Sequence, residues 1–359
     1  MDLPPVPTPD DAAKRAAVAR HAALDVPVGG LGRLAELGVW LAAAQGASPP
    51  KPLQRPRVVV VAGDHGIAAA GVSAHAPGDS VKQAAALREQ AGAAAVVALV
   101  AGATVRVVDL ALDTEPEGGT AERYRVRRGS GRIDQVDALT ADETAKAVEI
   151  GRAIADEEVD AGADLLVPGS IGVGATTPAS VLVAAITGTE PVAVIGRGSG
   201  IDDNGWMRKA AAVRDALRRT REVGRDPLAL LRVAGGADLA ALTGVLVQAA
   251  LRRTPVLLDG VAVAAAALLA DRLAPGARAW WRVAQASPEP VPTLVATHLG
   301  LTPIVELGVR LGDGSGAATV IPLLQVAARL MTDLAEVPVP EPEPEPVVLS
   351  KQETDAEAT

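Results

Sequence analysis

Short apolar runs alternate along the chain with longer stretches of helical spacing. Arg57-Val-Val-Val-Val-Ala62 runs into Gly63-Asp-His-Gly66, Thr104-Val-Arg-Val-Val108 into Asp109, and Asp164-Leu-Leu-Val167 into Pro168-Gly169. Val192-Ala-Val-Ile195 ends at Gly196, and Pro255-Val-Leu-Leu258 at Asp259-Gly260. Apolar runs of this length, bounded by Gly and Asp, predict buried parallel strands. The stretches between them, such as 140–157 and 209–221, are rich in Ala, Leu, Arg and Glu at helical spacing. The alternation predicts an α/β fold: a parallel, Rossmann-like sheet flanked by helices through right-handed crossovers.

The two ends of the chain read differently. Asp10 to Ala44 predicts two helices joined near Val28-Gly-Gly-Leu-Gly-Arg33, and Thr319 to Ala335 predicts one more. These ends are expected to pack as a small helical domain. The division is 1–50 for its N-terminal segment, 51–318 for the α/β domain and 319–336 for its C-terminal helix. Residues 337–359, beginning Val-Pro-Val-Pro-Glu-Pro-Glu-Pro, predict an extended, disordered acidic tail that carries no chemistry.

Composition narrows the function classes. Hydrophobic residues make up 49% of 359 residues, enough for a sizeable core. A net charge of -9 argues against a nucleic-acid surface. Cysteine is absent, and His21, His65, His75 and His298 form no ligand-spaced pair, so no metal site is expected. No apolar stretch reaches a membrane span, and Met1-Asp-Leu-Pro-Pro does not begin a signal peptide. A cytoplasmic protein without membrane contact is the expectation. Aromatic residues are 1% and phenylalanine is absent, so the core must be Ala, Val and Leu, with close helix approach.

Three glycine-rich segments carry the candidate chemistry: Gly169-Ser-Ile-Gly-Val-Gly-Ala-Thr-Thr177, Gly196-Arg-Gly-Ser-Gly-Ile-Asp-Asp203 and Leu311-Gly-Asp-Gly-Ser-Gly-Ala317. Glycine lets backbone approach a ligand, and successive free N–H groups hold anions such as phosphate. The first two fall after predicted strand ends, the edge where open α/β sheets bind ligands. Together with the acid in the third they suggest a phosphate-bearing small molecule and acid–base chemistry on it. Asp202 and Asp203 suit helix capping as well as ligand contact.

The same residues, in order, resemble the nicotinate-nucleotide–dimethylbenzimidazole phosphoribosyltransferase family, actinobacterial type. Val28-Gly-Gly-Leu-Gly-Arg-Leu34 is similar to its GSLGRLE motif, and Gly63-Asp-His-Gly66 with Gly71-Val-Ser73 to its DHG…GVS segment. The Gly169 segment is similar to GEMGIGNTT, and Gly196 to Asp203 with Lys209 to GxGxGxDD…K. Leu257-Leu-Asp-Gly260, Ser287-Pro-Glu-Pro290 and Arg310-Leu-Gly-Asp-Gly-Ser-Gly316 complete a set running from about Pro4 to Leu334.

The resemblance implies transfer of 5-phosphoribosyl from nicotinate mononucleotide to a benzimidazole. Nicotinate leaves, α-ribazole 5′-phosphate forms for the cobalamin lower ligand, and the anomeric carbon inverts. It implies a homodimer, no cofactor and no metal. It assigns Asp313 as the general base, and Gly172, Gly174, Thr176, Thr177, Gly196, Gly198, Gly200, Lys209, Ser287 and Glu289 to the nucleotide. Ser73, Gln83 and Leu311 would contact the base.

Departures from the family pattern cluster among polar side chains. Ser170 stands for an acid and Ala175 for Asn; Gln285 and Pro292 stand for two histidines, and Asp313 for Glu. His75 and Ala76 lie where Tyr-Pro would follow. Two readings are open at this point: an active transferase of altered efficiency or base preference, and a non-catalytic homologue that binds nucleotide or a protein partner.

Overall fold

The computed structural model describes residues 3–115 and 123–337. The tail assigned to 337–359 therefore lies, from 338 onward, outside the described residues. Strands β1 (Pro56–Gly63), β2 (Thr104–Ala111), β3 (Leu165–Ile171), β4 (Val256–Leu258) and β5 (Trp281–Val283) form one sheet in the order β2-β1-β3-β4-β5, every pair parallel. A second parallel pair joins β6 (Gln285–Ala286) to β7 (Val305–Glu306). The helices are α1 (Asp11–Ala23), α2 (Arg33–Gln45), α3 (Asp79–Arg88), α4 (Ala93–Val100), α5 (Ala141–Asp160), α6 (Thr176–Thr187) and α7 (Asp203–Thr220). They continue as α8 (Pro227–Ala234), α9 (Ala237–Leu251), α10 (Val261–Leu273), α11 (Pro290–Leu299), α12 (Ser315–Ala318) and α13 (Ile321–Asp333). None of the helices among the described residues is long and apolar enough to cross a membrane.

Strand alternation builds the core. Val59 and Val61 of β1 face a cluster that includes α5, α6, α9 and α10 residues, such as Val148, Leu182, Leu242 and Ala265. Val58 and Val60 face the opposite cluster with Leu41, Ala95 and Leu324 from α2, α4 and α13. The stretch of an interior strand that is buried on both faces is mostly apolar, which is why the middle of β1, Val58 to Val61, reads as an unbroken valine run. Burying a valine stabilises by about 1.5–3 kcal/mol. Small residues set the spacing of the helices. A methyl group on Gly151 of α5 would overlap the Ala241 carbonyl of α9, and one on Gly244 would overlap the Val148 carbonyl. These helices therefore meet backbone to backbone, as a core without phenylalanine requires.

Three sequence expectations change. Val192–Ile195 is not a strand: Pro191–Val194 forms a 3-10 turn, and Val192 stays 62% exposed. Val194 and Ile195 are buried from this turn, without a sheet neighbour, and β4 takes the place beside β3. The Gly196 segment thus follows a turn rather than a strand end. Strand β3 continues through Gly169 and Ser170 to Ile171, so the first glycine loop begins at Gly172. Strand β5, begun by Trp281, escaped the apolar-run criterion because Arg282 interrupts it.

The chain ends come together as expected. Helices α1, α2 and α13 share a cluster of Ala17, Leu24, Ala42 and Met331. Backbone bonds from Asp25 N–H to the Ala335 carbonyl (2.9 Å) and from Val337 N–H to the Ala23 carbonyl (2.8 Å) tie them.

Candidate functional site

The connection from β3 to α6 organises the C-terminal edge of the sheet. At its start, Ser170 N–H donates to the Gly312 carbonyl at 2.9 Å. A side chain on Gly169 would overlap the Asp313 backbone. At its end, Thr176 Oγ1 accepts a hydrogen bond from Lys209 Nζ at 2.8 Å. One short segment therefore touches both the acid of the third glycine segment and the lysine of α7.

The lysine end is buried and pre-formed. Lys209 is 1% exposed. Burial pulls its pKa down to about 8, against the opposing influence of the Glu289 charge. Its ammonium also lies 3.4 Å from the Gly196 carbonyl. Glu289 is buried, and its Oε1 accepts the Gly198 N–H at 2.9 Å. Gly198 has φ of +52°, and a methyl there would press on Thr176 Oγ1 and the Lys209 ammonium. Thr177 Oγ1 is buried without a partner. Ser287 Oγ accepts the Glu289 N–H at 3.3 Å, which fixes the turn before α11. Asp202 accepts the Gly205 N–H at 2.7 Å and so caps α7, and Arg197 donates to Asp203 at 2.5 Å. Asp202 thus has the capping geometry, while Asp203 sits in an exposed ion pair.

The acid end is equally constrained. Asp313 is buried; its Oδ1 accepts the Ser315 N–H at 3.0 Å and its Oδ2 the Ala94 N–H at 3.2 Å, at the start of α4. Asp259 lies near enough to be influenced by it. Burial first, and the Asp313 charge as well, push the Asp259 carboxyl above its ordinary pKa, offset by the Gln285 hydrogen bond. Gln285 Nε2 donates to Asp259 Oδ1 at 2.8 Å and to the Val309 carbonyl at 2.7 Å. The glutamine therefore orients the Asp259 carboxylate. Pro292 lies in the first turn of α11, lining a small cavity with Asp259 and Gln285.

The residues expected to contact the base are more open. Ser73 and Gln83 are half-buried, and Leu311 is 62% exposed. Ser73 Oγ lies 3.2 Å from Ser199 Oγ. Helix α3, which carries Gln83, is moored by Ser80, whose hydroxyl donates to Asp64 Oδ1 at 2.5 Å and accepts the Val173 N–H at 2.9 Å. Gly172 packs under the Gly63 carbonyl and Gly174 against Ala68 and His65, so they shape the turn. Gly200 faces open space, and its φ of +98° is what requires glycine there.

Sequence reasoning missed Asp238 entirely and gave Asp259 no role. His65 Nε2 lies 3.2 Å from Asp238 Oδ2, both fully buried beneath the glycine turn. Burial disfavours the imidazolium, but the Asp238 charge and hydrogen bond, with Asp64, outweigh it and raise the His65 pKa. The Ser170 hydroxyl is 3.5 Å from the same carboxylate oxygen. Gly235-Gly236 ahead of an acidic first turn in α9 was the available signal. Among the described residues no cluster of three or more His, Asp or Glu side chains could hold a metal. A separate cavity of about 510 Å³, lined by Arg214, Arg218, Arg221 and Arg225, lies at the far ends of α6 and α7 from Thr176 and Lys209.

Comparison with known proteins identifies the family. A nicotinate-nucleotide–dimethylbenzimidazole phosphoribosyltransferase of Mycobacterium tuberculosis (strain ATCC 25618 / H37Rv) is 57% identical over 333 residues, 92% of each chain. One from Mycobacterium avium (strain 104) is 56% identical over 337 residues, 93% of this chain and 96% of that one. The crystal structure of CobT from Thermus thermophilus superposes with a TM-score of 0.86 at 36% identity, covering 90% of this chain and 97% of that chain. The phosphoribosyltransferase family model DBI_PRT matches residues 6–338, and the chain belongs to that family.

Proposed function

We propose that the protein transfers the 5-phosphoribosyl group of nicotinate mononucleotide to 5,6-dimethylbenzimidazole or a related base, releasing nicotinate and α-ribazole 5′-phosphate. The observation that carries this reading is that one segment, Gly169 to Thr176, packs against the Asp313 backbone at one end and meets the buried Lys209 ammonium at the other. It fits the activity for which the mycobacterial relatives are named.

The nucleotide phosphate belongs at Lys209, beside Gly198 and the N-terminus of α6, where the helix macrodipole favours an anion. The unpartnered Thr177 hydroxyl supplies a further donor. A dianion there offsets the cost of keeping Lys209 charged. Gly172, Gly174, Gly196 and Gly200 shape the surrounding turns, while Ser287 and Glu289 hold the Gly198 turn in place. Ser73, Gln83 and Leu311 line the base side.

The pyridinium of the nucleotide is already cationic, so nicotinate leaves as the C1′–N bond breaks and the electron pair returns to its ring; no acid is needed. A benzimidazole nitrogen lone pair forms the new bond to C1′ from the opposite face, which inverts the anomeric carbon. The ring N–H proton passes to Asp313. Most of the rate enhancement is positioning of two bound substrates. The non-catalytic alternative has no observation in its favour, since Lys209, the glycines and the acid are assembled.

We also place the protein in the cytoplasm as a homodimer. Val96, Leu99 and Val100 leave an apolar stripe of α4 exposed at 52%, 78% and 82%, a face suited to a second copy. Light scattering reporting a monomer at micromolar concentration would remove that part. For the reaction, purified protein incubated with nicotinate mononucleotide and 5,6-dimethylbenzimidazole is expected to yield α-ribazole 5′-phosphate and nicotinate in equal amounts. Intact nucleotide binding with neither product would overturn it.

A further inference from the structure

We infer that Ser199 is a positioning residue, latching the base-side loop to the nucleotide turn so that bound nucleotide raises affinity for the base. This inference rests on the two-substrate reading above. The base-side loop, Gly71 to His75, has two attachments to the nucleotide side. Ser199 Oγ accepts the Ala74 N–H at 2.8 Å and pairs with Ser73 Oγ at 3.2 Å. Arg208 Nε donates to the Gly71 carbonyl at 3.0 Å. Both attachments come from segments that hold the phosphate side. Ser199 follows Gly198, whose N–H is fixed by Glu289, and Arg208 precedes Lys209 on α7.

The hydrogen-bond count gives the serine pair a further role. Ser73 Oγ also accepts the His75 N–H at 3.2 Å. The two hydroxyls carry two protons, and one bridges the pair. The other is free to donate to a ligand. The pair therefore presents one hydroxyl proton to a ligand, and Ser199 both completes that pair and holds the loop. Ser199 is the one residue with a side chain between Gly198 and Gly200, and both glycines have positive φ. The turn is shaped to present that hydroxyl. A phosphate that orders the turn orders the base loop with it, and the linkage is reciprocal.

The bonds are solvent-exposed, so the coupling is modest. Ser199→Ala in the full chain is expected to raise KM for 5,6-dimethylbenzimidazole at saturating nucleotide about 5- to 10-fold, with kcat and the affinity for nicotinate mononucleotide in the absence of base within about twofold. Ser199→Thr, which keeps the hydroxyl, is expected to restore most of the base affinity. A general folding defect would instead lower kcat and the unfolding temperature. Hydrogen exchange gives a reading that needs no turnover. Nicotinate mononucleotide should slow exchange in residues 71–76 of the wild type and leave it unchanged in Ser199→Ala. An unaltered base KM in the variant overturns the latch. So does a wild-type loop indifferent to nucleotide. A wild type that shows nucleotide-dependent protection without turnover would instead overturn the reaction and leave the latch standing.

Discussion

The two halves of the site are built to different tolerances. On the proposed nucleotide side, Lys209, Thr176, Gly198 and Glu289 form a closed set of contacts, with the charged groups buried and each pinned by a neighbour. On the proposed base side, Ser73 and Gln83 are half-buried and Leu311 is exposed. A buried ammonium tolerates little change, because losing a partner leaves a desolvated charge. An open wall costs little to alter. The difference teaches where specificity can drift: the family's Tyr-Pro is replaced on the open side by His75 and Ala76, while the lysine end keeps its glycines.

Variants test that contrast. The largest expected effect is at the acid between the halves. Asp313→Asn should lower kcat by at least about 100-fold, the general-acid–base range, with nucleotide affinity within about threefold. Asparagine keeps an oxygen for the Ala94 or Ser315 N–H, so unfolding temperature separates lost chemistry from a lost cap. Turnover surviving in Asp313→Asn would remove Asp313 as the base. Asp313→Ala confounds the two, since losing a helix-start acceptor costs about 1 kcal/mol.

Lys209→Met comes next. It should weaken nucleotide binding by one to two orders of magnitude, as expected for a charged hydrogen bond of about 1.5–3 kcal/mol. The pH dependence gives its signature. Lys209 in the free protein titrates at about 8 and must be protonated to pair with phosphate. Between the phosphate's own second titration, at about 6, and pH 8 the affinity should be flat; above pH 8, binding requires proton uptake and affinity should fall toward tenfold per unit. A Lys209→Met protein with the same slope would locate the titration elsewhere. For stability the sign is opposite. The lowered folded pKa means the unfolded chain binds more protons between about 8 and 10.5, so unliganded stability contributed by this group rises through that window.

Gly198→Ala should raise the nucleotide KM about 10-fold, because the methyl presses on Thr176 and Lys209 at a positive φ. Gln83→Ala should change the base KM by only a few-fold and broaden base preference in a competition assay. A Gln83 effect exceeding that of Gly198 would invert the proposed division of rigid and open halves.

Much of the fold was legible because the middles of strands buried on both faces are apolar, as Val58–Ala62 of β1 and Leu165–Val167 of β3 are. The run at Val192 misled because four apolar residues do not reveal whether a sheet neighbour exists for them. Strand β5 hid behind Arg282, whose guanidinium lies 4.6 Å from the Trp40 ring centre, a partner supplied by a helix more than two hundred residues away. In the site, glycines announced themselves through backbone demands that are local. Asp238 and Asp259 did not, since a carboxylate gains meaning from burial and from His65 or Gln285, which only the tertiary fold supplies. Ser170 reads in the sequence as a lost acid. In the fold its hydroxyl faces the Asp238 carboxylate, so negative charge persists near that position from another element.

The backbone contact between α5 and α9 makes the site mechanically sensitive at a distance. Helix α9 begins at the residue before Asp238 and, two turns on, seats Gly244 against Val148 with no side chain to cushion it. The helix is a rod clamped near its middle whose tip reaches the underside of the glycine turn. A single added methyl at the clamp has no slack to disappear into, so the displacement is delivered to the tip. Surface residues around the pocket are thus freer to vary than a glycine far from any substrate.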